Sequence, residues 1–314
     1  MTATKPAMPK ADTEQFVSVA DDAHQPTTFK HVLVGVDGTS TRRDAIALAE
    51  ALRHPDGRVT LAHVVPVEVA RYRNFHSTPA GKNARDMLAR ERAAAGVTAE
   101  LAGMFAPSVG SGLHQLAEDY DADLIVVGSC RRSAVGRLLR GDNTQGSLSG
   151  AAGAVAVAPL DYALRPSSID TIGVAYDGSP ESDTALRAAR QLAARYGASV
   201  RALTAVWPTT AVVWPRVPSG PGSAWGAMTF EDYEREASEA LSWLIGVDGH
   251  VTVGPPGDEL LAFGDEVDLL VVGSRGHGPL RRLFLGSTSR YLASTARVPL
   301  LVLPRTLAAR DTED

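Results

Sequence analysis

The chain contains two copies of one sequence pattern in the same order, and this internal duplication constrains its fold more than any other feature. The segment HVLVGVDGTS, which begins at His31, aligns without gaps with TIGVAYDGSP, which begins at Thr171. Further along, DLIVVGS matches DLLVVGS, and near the end of each half AVAVAP matches PLLVLP. Three matches in the same order indicate a duplicated domain, and 314 residues suffice for two.

The domain boundaries follow from the repeat. Residues 1–29 are polar and predict a flexible tail. The first domain is expected over residues 30–163 and the second over residues 168–306, with a short linker between them. The charged residues 307–314 form a second tail.

Each half alternates short, continuously apolar strands with helical segments. In the second half Ser179 is placed as the N-cap of the first helix, Pro180 as its first residue and Gly197 just after its last turn. Later helices are expected at about Asp86–Ala95 and Phe230–Ile245. The β-α-β-α-β-α-β-α-β order predicts the α/β class, with two tandem doubly wound parallel five-stranded sheets of strand order 3-2-1-4-5.

In sheets of this kind, ligands bind outside the carboxyl ends of the strands, where the strand order reverses. With the order 3-2-1-4-5 the reversal lies between strands one and four. In the second half these strands end at Asp177 and Gly273. We therefore expect these two residues to meet at one crevice.

A glycine-rich segment follows strand four of the second half. The sequence GSRGHGPLRRLFLGSTS places Gly273, Gly276, Gly286 and Ser287 in the pattern G-x2-G-x9-G-[ST]. Glycines let the backbone approach a ligand closely, and a helix start with free amides and hydroxyls binds anions. This pattern suits a polyphosphate. Together with the DGS segment after strand one, it closely resembles the universal stress protein family, over nearly the whole chain outside the tails.

The resemblance implies an adenine-nucleotide α-hydrolase-like fold and, for the ATP-binding branch of the family, a site for ATP, with or without Mg²⁺. Asp177, in the segment formed with Gly178 and Ser179, would contact the adenosine part. Val206, at the end of strand two, would present its backbone to the base. The phosphates would be held by Gly273, Gly276, Gly286, Ser287, Thr288 and Ser289.

The first half departs from this pattern at two of its four positions. Gly128 and Gly141 are kept, but Arg131 replaces the second glycine and Asp142 replaces the hydroxyl residue. Two like charges 4 Å apart repel by about 4 kcal/mol at an effective dielectric constant near 20. The first half is therefore expected to be a weak or empty ATP site, although Asp37 preserves the adenosine side.

Structural roles for the same residues remain open alternatives. Asp177 could cap the helix that follows it, and Ser287 could be a helix cap as well as a ligand. Gly273 and Gly276 could be ordinary loop glycines. The sequence has no P-loop, dinucleotide fingerprint or nucleophile elbow, and no evident general base or set of metal ligands accompanies the glycine loop.

Composition excludes other classes of protein. The net charge of −5 without a basic block argues against nucleic acid as a partner, and a single cysteine cannot form an internal disulfide. No apolar run is long enough to span a bilayer, and the N-terminus lacks the apolar core of a signal peptide. These features predict a cytoplasmic protein without a membrane partner.

These features favour an ATP-binding regulatory protein of the stress response, with an unidentified protein partner and little or no hydrolysis. The alternatives are a slow ATPase or adenylate-transferring enzyme of the same fold, and a scaffold that binds no nucleotide. The apolar last strands AVAVA and PLLVL would form sheet edges, which invite pairing. We expect them to join the halves as a pseudo-dimer, and a further homodimer remains open.

Overall fold

The computed structural model describes residues 29–37, 43–67, 75–129, 153–165, 168–207, 230–274 and 286–304. The first half contains strands β1 (Phe29–Gly35), β2 (Arg53–Pro66), β3 (Glu100–Ala106), β4 (Leu124–Gly128) and β5 (Ala154–Ala158), and helices α1 (Asp44–Leu52), α2 (Pro79–Ala95) and α3 (Val109–Asp119). The second half contains strands β6 (Thr171–Ala175), β7 (Ser199–Val206), β8 (Asp248–Val253), β9 (Leu269–Gly273) and β10 (Leu300–Leu303), and helices α4 (Pro180–Tyr196), α5 (Phe230–Ser242), α6 (Pro256–Gly264) and α7 (Ser287–Thr295).

The strands form one continuous sheet in the order β3-β2-β1-β4-β5-β10-β9-β6-β7-β8. Within each half all neighbouring strands are parallel, and each half has the predicted order 3-2-1-4-5. Strands β5 and β10 pair antiparallel at the centre. The predicted fold class, and the predicted pairing of the two last strands, are therefore confirmed.

Helices cover both faces of this sheet, which explains why its strands are continuously apolar. On one face α1, α2 and α4 bury leucines against the sheet, among them Leu48, Leu88 and Leu192. On the other face α3, α6 and α7 do the same, for example through Leu113 and Leu292. Each cluster contains residues of both halves, so the two domains share a continuous core on either side of the sheet.

Helix α4 begins and ends as the sequence predicts. The Ser179 side chain accepts a hydrogen bond from the Ser182 amide at 3.2 Å, and Pro180 is the first helical residue. Gly197 follows the last turn with φ 71°, a left-handed conformation that favours glycine. The capping residues therefore fix both ends of this helix.

The expected bounds of two other helices were wrong. Helix α2 begins at Pro79 rather than near Asp86, because Thr78 caps it by accepting the Gly81 amide at 3.1 Å. Helix α5 ends at Ser242 rather than Ile245, because the chain turns there toward Gly246, which has φ 72°.

The C-terminal ends of α1 and α4 are joined by hydrogen bonds across the two halves. Arg195 donates to the main-chain oxygens of Leu52, at 3.2 Å, and of Arg53, at 2.6 Å. The hydroxyl of Tyr196 donates to the main-chain oxygen of Ala51. Carbonyls at the end of α1, which a helix leaves without partners, are thus satisfied by side chains of the second domain.

A buried carboxylate ties the end of the first domain to its own first helix. Asp44, the first residue of α1, accepts the amides of Asp161, at 3.0 Å, and Ala163, at 2.9 Å. These amides belong to the short turn that follows β5, and this pairing satisfies a carboxylate that is only 7% exposed.

Candidate functional site

The strand order of the second half reverses between β6 and β9, which are direct neighbours in the sheet. Ile172 pairs with Leu269 and Val174 with Val271. The chain leaves β6 for α4 on one face, and the next described helix after β9, α7, lies on the other face. The carboxyl ends of these strands therefore border one crevice, and the structure brings Asp177 and Gly273 to it as the sequence predicts.

Asp177 organises the turn between β6 and α4. Its Oδ1 atom accepts the Ser179 amide at 3.1 Å and the Ser179 hydroxyl at 2.5 Å, while Gly178 between them has φ 71°. Ser179 is the residue that caps α4, so Asp177 supports the cap rather than forming it. The side chain is exposed and, among the described residues, nothing bonds its Oδ2 atom, which leaves this oxygen available to a ligand hydroxyl.

The close packing around Gly273 leaves no room for a side chain at this position. A Cβ atom at this position would lie 2.6 Å from the main-chain oxygen of Glu181, in the first turn of α4. The end of β9 is therefore in direct contact with the helix that follows Asp177. This contact is sufficient reason for a glycine here, so Gly273 has a structural role whether or not it also contacts a ligand.

Helix α7 begins at the same edge of the sheet. Because β9 and β10 are parallel, the helix that precedes β10 runs from the carboxyl edge back to the amino edge. Gly286 is its N-cap and offers no capping side chain. The first-turn amides have no acceptor within the helix, so Ser287, Thr288 and Ser289 open a helix suited to an anion. Ser287 is exposed, Thr288 is half-buried and Ser289 is buried.

Val206 lies at the carboxyl end of β7 and is buried. Its main-chain oxygen accepts the Gly254 amide at 3.0 Å, so this carbonyl already forms a hydrogen bond with the residue that follows β8. Gly276, the second glycine of the loop, lies outside the described residues, as do Arg131, Gly141 and Asp142 of the first half.

Tyr176 fixes the position of the chain at the end of β6, directly before Asp177. Its hydroxyl donates to Asp183 in α4 at 3.0 Å, and its main-chain oxygen accepts the Thr204 hydroxyl at 2.7 Å. Burial, together with the negative charge of Asp183, raises the pKa of Tyr176 to about 12. The phenol therefore remains a donor at neutral pH, and β6, β7 and α4 are held together just below the crevice.

A polar residue that was not among the predicted site residues lies at the matching place in the first half. There His63 of β2 bonds through Nδ1 to the main-chain oxygen of Val36 at 2.7 Å, as Thr204 does to Tyr176. The alignment of VTLAHVV with VRALTAV pairs these two residues and could have revealed the difference. Asp37, which aligns with Asp177, follows Val36 directly, so the first half carries a histidine near this aspartate.

Two further observations concern metals and membranes. In the residues that the structure describes, no group of three or more His, Cys, Asp or Glu side chains is placed to hold a metal ion. Nor does any helix in these parts of the chain have the length and apolarity needed to cross a membrane.

Two tandem doubly wound parallel sheets, each with its strand order reversed beside strand one, define a protein of the adenine-nucleotide α-hydrolase-like fold. The chain belongs to the universal stress protein family, whose family model matches residues 28–159 and again residues 168–304.

Relatives support this assignment over most of the chain. A universal stress protein of Mycolicibacterium smegmatis is 29% identical over 310 residues, which cover 89% of this chain and 98% of that protein. One from Mycobacterium tuberculosis is 31% identical over 188 residues, or 58% of this chain and 62% of that protein. The crystal structure of a universal stress protein from Archaeoglobus fulgidus covers 87% of this chain and 95% of its own, with a TM-score of 0.59 and 21% identity, and is similar in fold.

Proposed function

We propose that this protein is an ATP-binding regulator of the stress response, in which the second domain holds the nucleotide. Membership of the universal stress protein family supports the general role. The observation that carries the nucleotide proposal is the contact between the end of β9 and the first turn of α4. The first turn of α4, directly after Asp177, packs on Gly273, from which the glycine loop leads to Ser287.

Different parts of the second domain would bind different parts of the nucleotide. Asp177, whose Oδ2 atom bonds none of the described residues, would contact the adenosine part of the nucleotide. The amides and hydroxyls at the start of α7 would hold the phosphates, because a helix N-terminus attracts anions. Ser287 is the most exposed of these residues, so its side chain is the one most open to a phosphate oxygen.

Sequence differences between the two domains favour the second as the site that binds ATP. Where the second domain has Gly276 and Ser287, the first has Arg131 and Asp142. A bulky side chain replaces bare backbone, and a carboxylate replaces a hydroxyl at the expected phosphate position. Both changes weaken the same interaction, so ATP should bind the second domain alone.

The proposed role of ATP is regulatory. No general base or metal-binding carboxylate accompanies the glycine loop in the sequence, and phosphoryl transfer requires groups that orient the attacking nucleophile and neutralise charge. Occupancy by ATP, with or without Mg²⁺, would then change the shape of the protein or its affinity for a protein partner.

Mass spectrometry of the freshly purified, denatured protein tests this proposal. We expect ATP to be released from the wild type and from Ser294→Asp, and to be absent from Ser287→Asp. The two variants introduce the same charge at opposite ends of α7. An acidic residue in the first turn favours the helix, so Ser287→Asp should fold. No nucleotide in the wild type, and no binding when ATP is added, would overturn the proposal.

A further inference from the structure

We propose that Glu259, in the first turn of α6, selects the base of the nucleotide by accepting a hydrogen bond from the amino group of adenine. This inference rests on the proposed function, because it names the residue that recognises the base at the ATP site of the second domain. The groups assigned to the phosphates would bind any nucleoside triphosphate, so discrimination between bases requires a further residue.

The side chain of Glu259 folds back over the residue that follows β8. A Cβ atom added to Gly254 would overlap Oε1 of Glu259 and would lie 2.8 Å from its Cδ. The Gly254 amide in turn donates to the main-chain oxygen of Val206 at 3.0 Å. The carboxylate of Glu259 therefore lies against the main chain beside the carboxyl end of β7, where the base is expected.

The order of the strands places Glu259 at the base end of the crevice. Strands β6, β7 and β8 are consecutive neighbours, so their carboxyl ends span two strand spacings, or about 10 Å. A nucleoside that lies across these strand ends, with its sugar at Asp177, would bring its base toward β8. Helix α6 covers the same face of the sheet as α7. The carboxylate therefore lies on the same side of the sheet as the helix start proposed for the phosphates.

Glu259 is an acceptor that the protein leaves unused. Its side chain is half-buried, and it forms no hydrogen bond or ion pair within the part of the chain that the structure describes. The other acceptors nearby are engaged, because Asp258 accepts the Tyr291 hydroxyl at 2.9 Å and Val206 accepts the Gly254 amide. A half-buried acceptor without a donor favours a ligand that supplies one.

The chemistry of a carboxylate decides between the purine bases. A carboxylate can only accept hydrogen bonds, and adenine presents an amino group at C6. Guanine presents a carbonyl oxygen at the same position, as does hypoxanthine, and this oxygen would face the carboxylate without a hydrogen between them. The amide of a glutamine can accept through its oxygen and donate through its nitrogen. Glu259→Gln should therefore accommodate both kinds of base.

Calorimetric titration of the nucleotide-stripped full chain with ATP and with inosine triphosphate, whose base is hypoxanthine, tests the inference. We expect the wild type to bind ATP about tenfold more tightly than inosine triphosphate. Glu259→Gln should bind inosine triphosphate about tenfold more tightly than the wild type does, so that the two nucleotides bind almost equally. The matched control Asp265→Asn removes the same charge at the opposite end of α6 and should retain the preference for ATP.

The affinity ratio of the two nucleotides separates a role in base selection from a purely structural one. A preference for ATP that Glu259→Gln removes and Asp265→Asn retains supports the inference. Equal binding of both nucleotides by the wild type overturns it, requires no variant to fold and leaves the proposed function intact. A preference that survives in a Glu259→Gln protein that binds ATP also overturns it, as does loss of the preference in Asp265→Asn. If the wild type binds neither nucleotide, the proposed function and this inference both fail.

Discussion

Leu301 of β10 lies directly opposite Ala156 of β5 in the antiparallel pair that joins the two halves, and both side chains are fully buried. Each five-stranded sheet would otherwise end in an apolar edge, which invites association with other chains. Duplication places a complementary edge in the same chain, so the two halves share one sheet and continuous cores on both of its faces.

Leu301→Lys should therefore destabilise the whole chain. An unpaired charge buried at this pairing should lower the free energy of unfolding by at least about 3 kcal/mol. Denaturant unfolding measures this loss. Leu164→Lys, at a leucine that is 75% exposed, is the matched control and should stay within about 0.5 kcal/mol of wild type. Equal midpoints for Leu301→Lys and wild type would show that the strands do not pair in this way.

The hydroxyl of Tyr196 should contribute measurably to the contact between the domains. Burial raises the pKa of Tyr196, so the hydroxyl stays protonated and donates to Ala51. Tyr196→Phe leaves that carbonyl unsatisfied and should cost about 1–3 kcal/mol of unfolding free energy. Tyr291→Phe removes an exposed hydroxyl that bonds Asp258 and should cost less than about 0.5 kcal/mol. Similar losses in both variants would argue against a special role for Tyr196.

His31 should make stability depend on pH. Burial, assisted by the charge of Arg58, lowers the pKa of His31, whose Nε2 bonds the Thr60 hydroxyl at 2.8 Å. The unfolded chain then binds the proton more tightly than the folded chain. Stability is unaffected by His31 well above pH 6.5 and falls as the pH drops below that value.

The comparison of wild type with His31→Gln isolates this effect. Between pH 7.5 and pH 5.5 the wild type should lose up to about 1.4 kcal/mol more unfolding free energy than the variant. The acidic residues, including Asp123, whose pKa is raised by burial, are present in both proteins. Identical pH profiles for the two proteins would contradict a lowered pKa at His31.

ATP hydrolysis by the pure protein should be far slower than the enzymatic median of about 10 s⁻¹. The prediction rests on the lack of an evident base or metal ligands beside the glycine loop in the sequence. Phosphate release under saturating ATP measures the rate. A steady turnover near the median that disappears in Gly276→Ala would make the protein an enzyme.

The fold could be predicted from the sequence because the patterns that indicate strands and helix ends are local and occur in both halves. Apolar strands such as LLVVG and LIVVG, and caps such as Ser179, act within a few residues. The start of α2 was missed because Thr78 and Pro79 were not recognised as a cap and a first helical residue.

Long-range contacts could not be predicted in the same way. Arg195 and Tyr196 bond carbonyls that lie more than a hundred residues away in the sequence. The periodic pattern of apolar residues does not predict such pairs. The sequence suggested Gly273 as a ligand-facing glycine, but its contact with Glu181 depends on how α4 crosses the sheet. The topology of the crevice was predictable, whereas the atoms that line it required the structure.

Calorimetric titration of the nucleotide-stripped protein with ATP tests the central claim most directly. We predict one strongly bound ATP per chain, loss of this binding in Ser287→Asp, and unchanged binding in Ser294→Asp and Arg131→Gly. At one hundred times its dissociation constant the ligand should also stabilise the folded chain by about 2.7 kcal/mol. Two equally tight sites, or binding that survives in Ser287→Asp and is lost only when Asp37 is replaced, would contradict the assignment of ATP to the second domain.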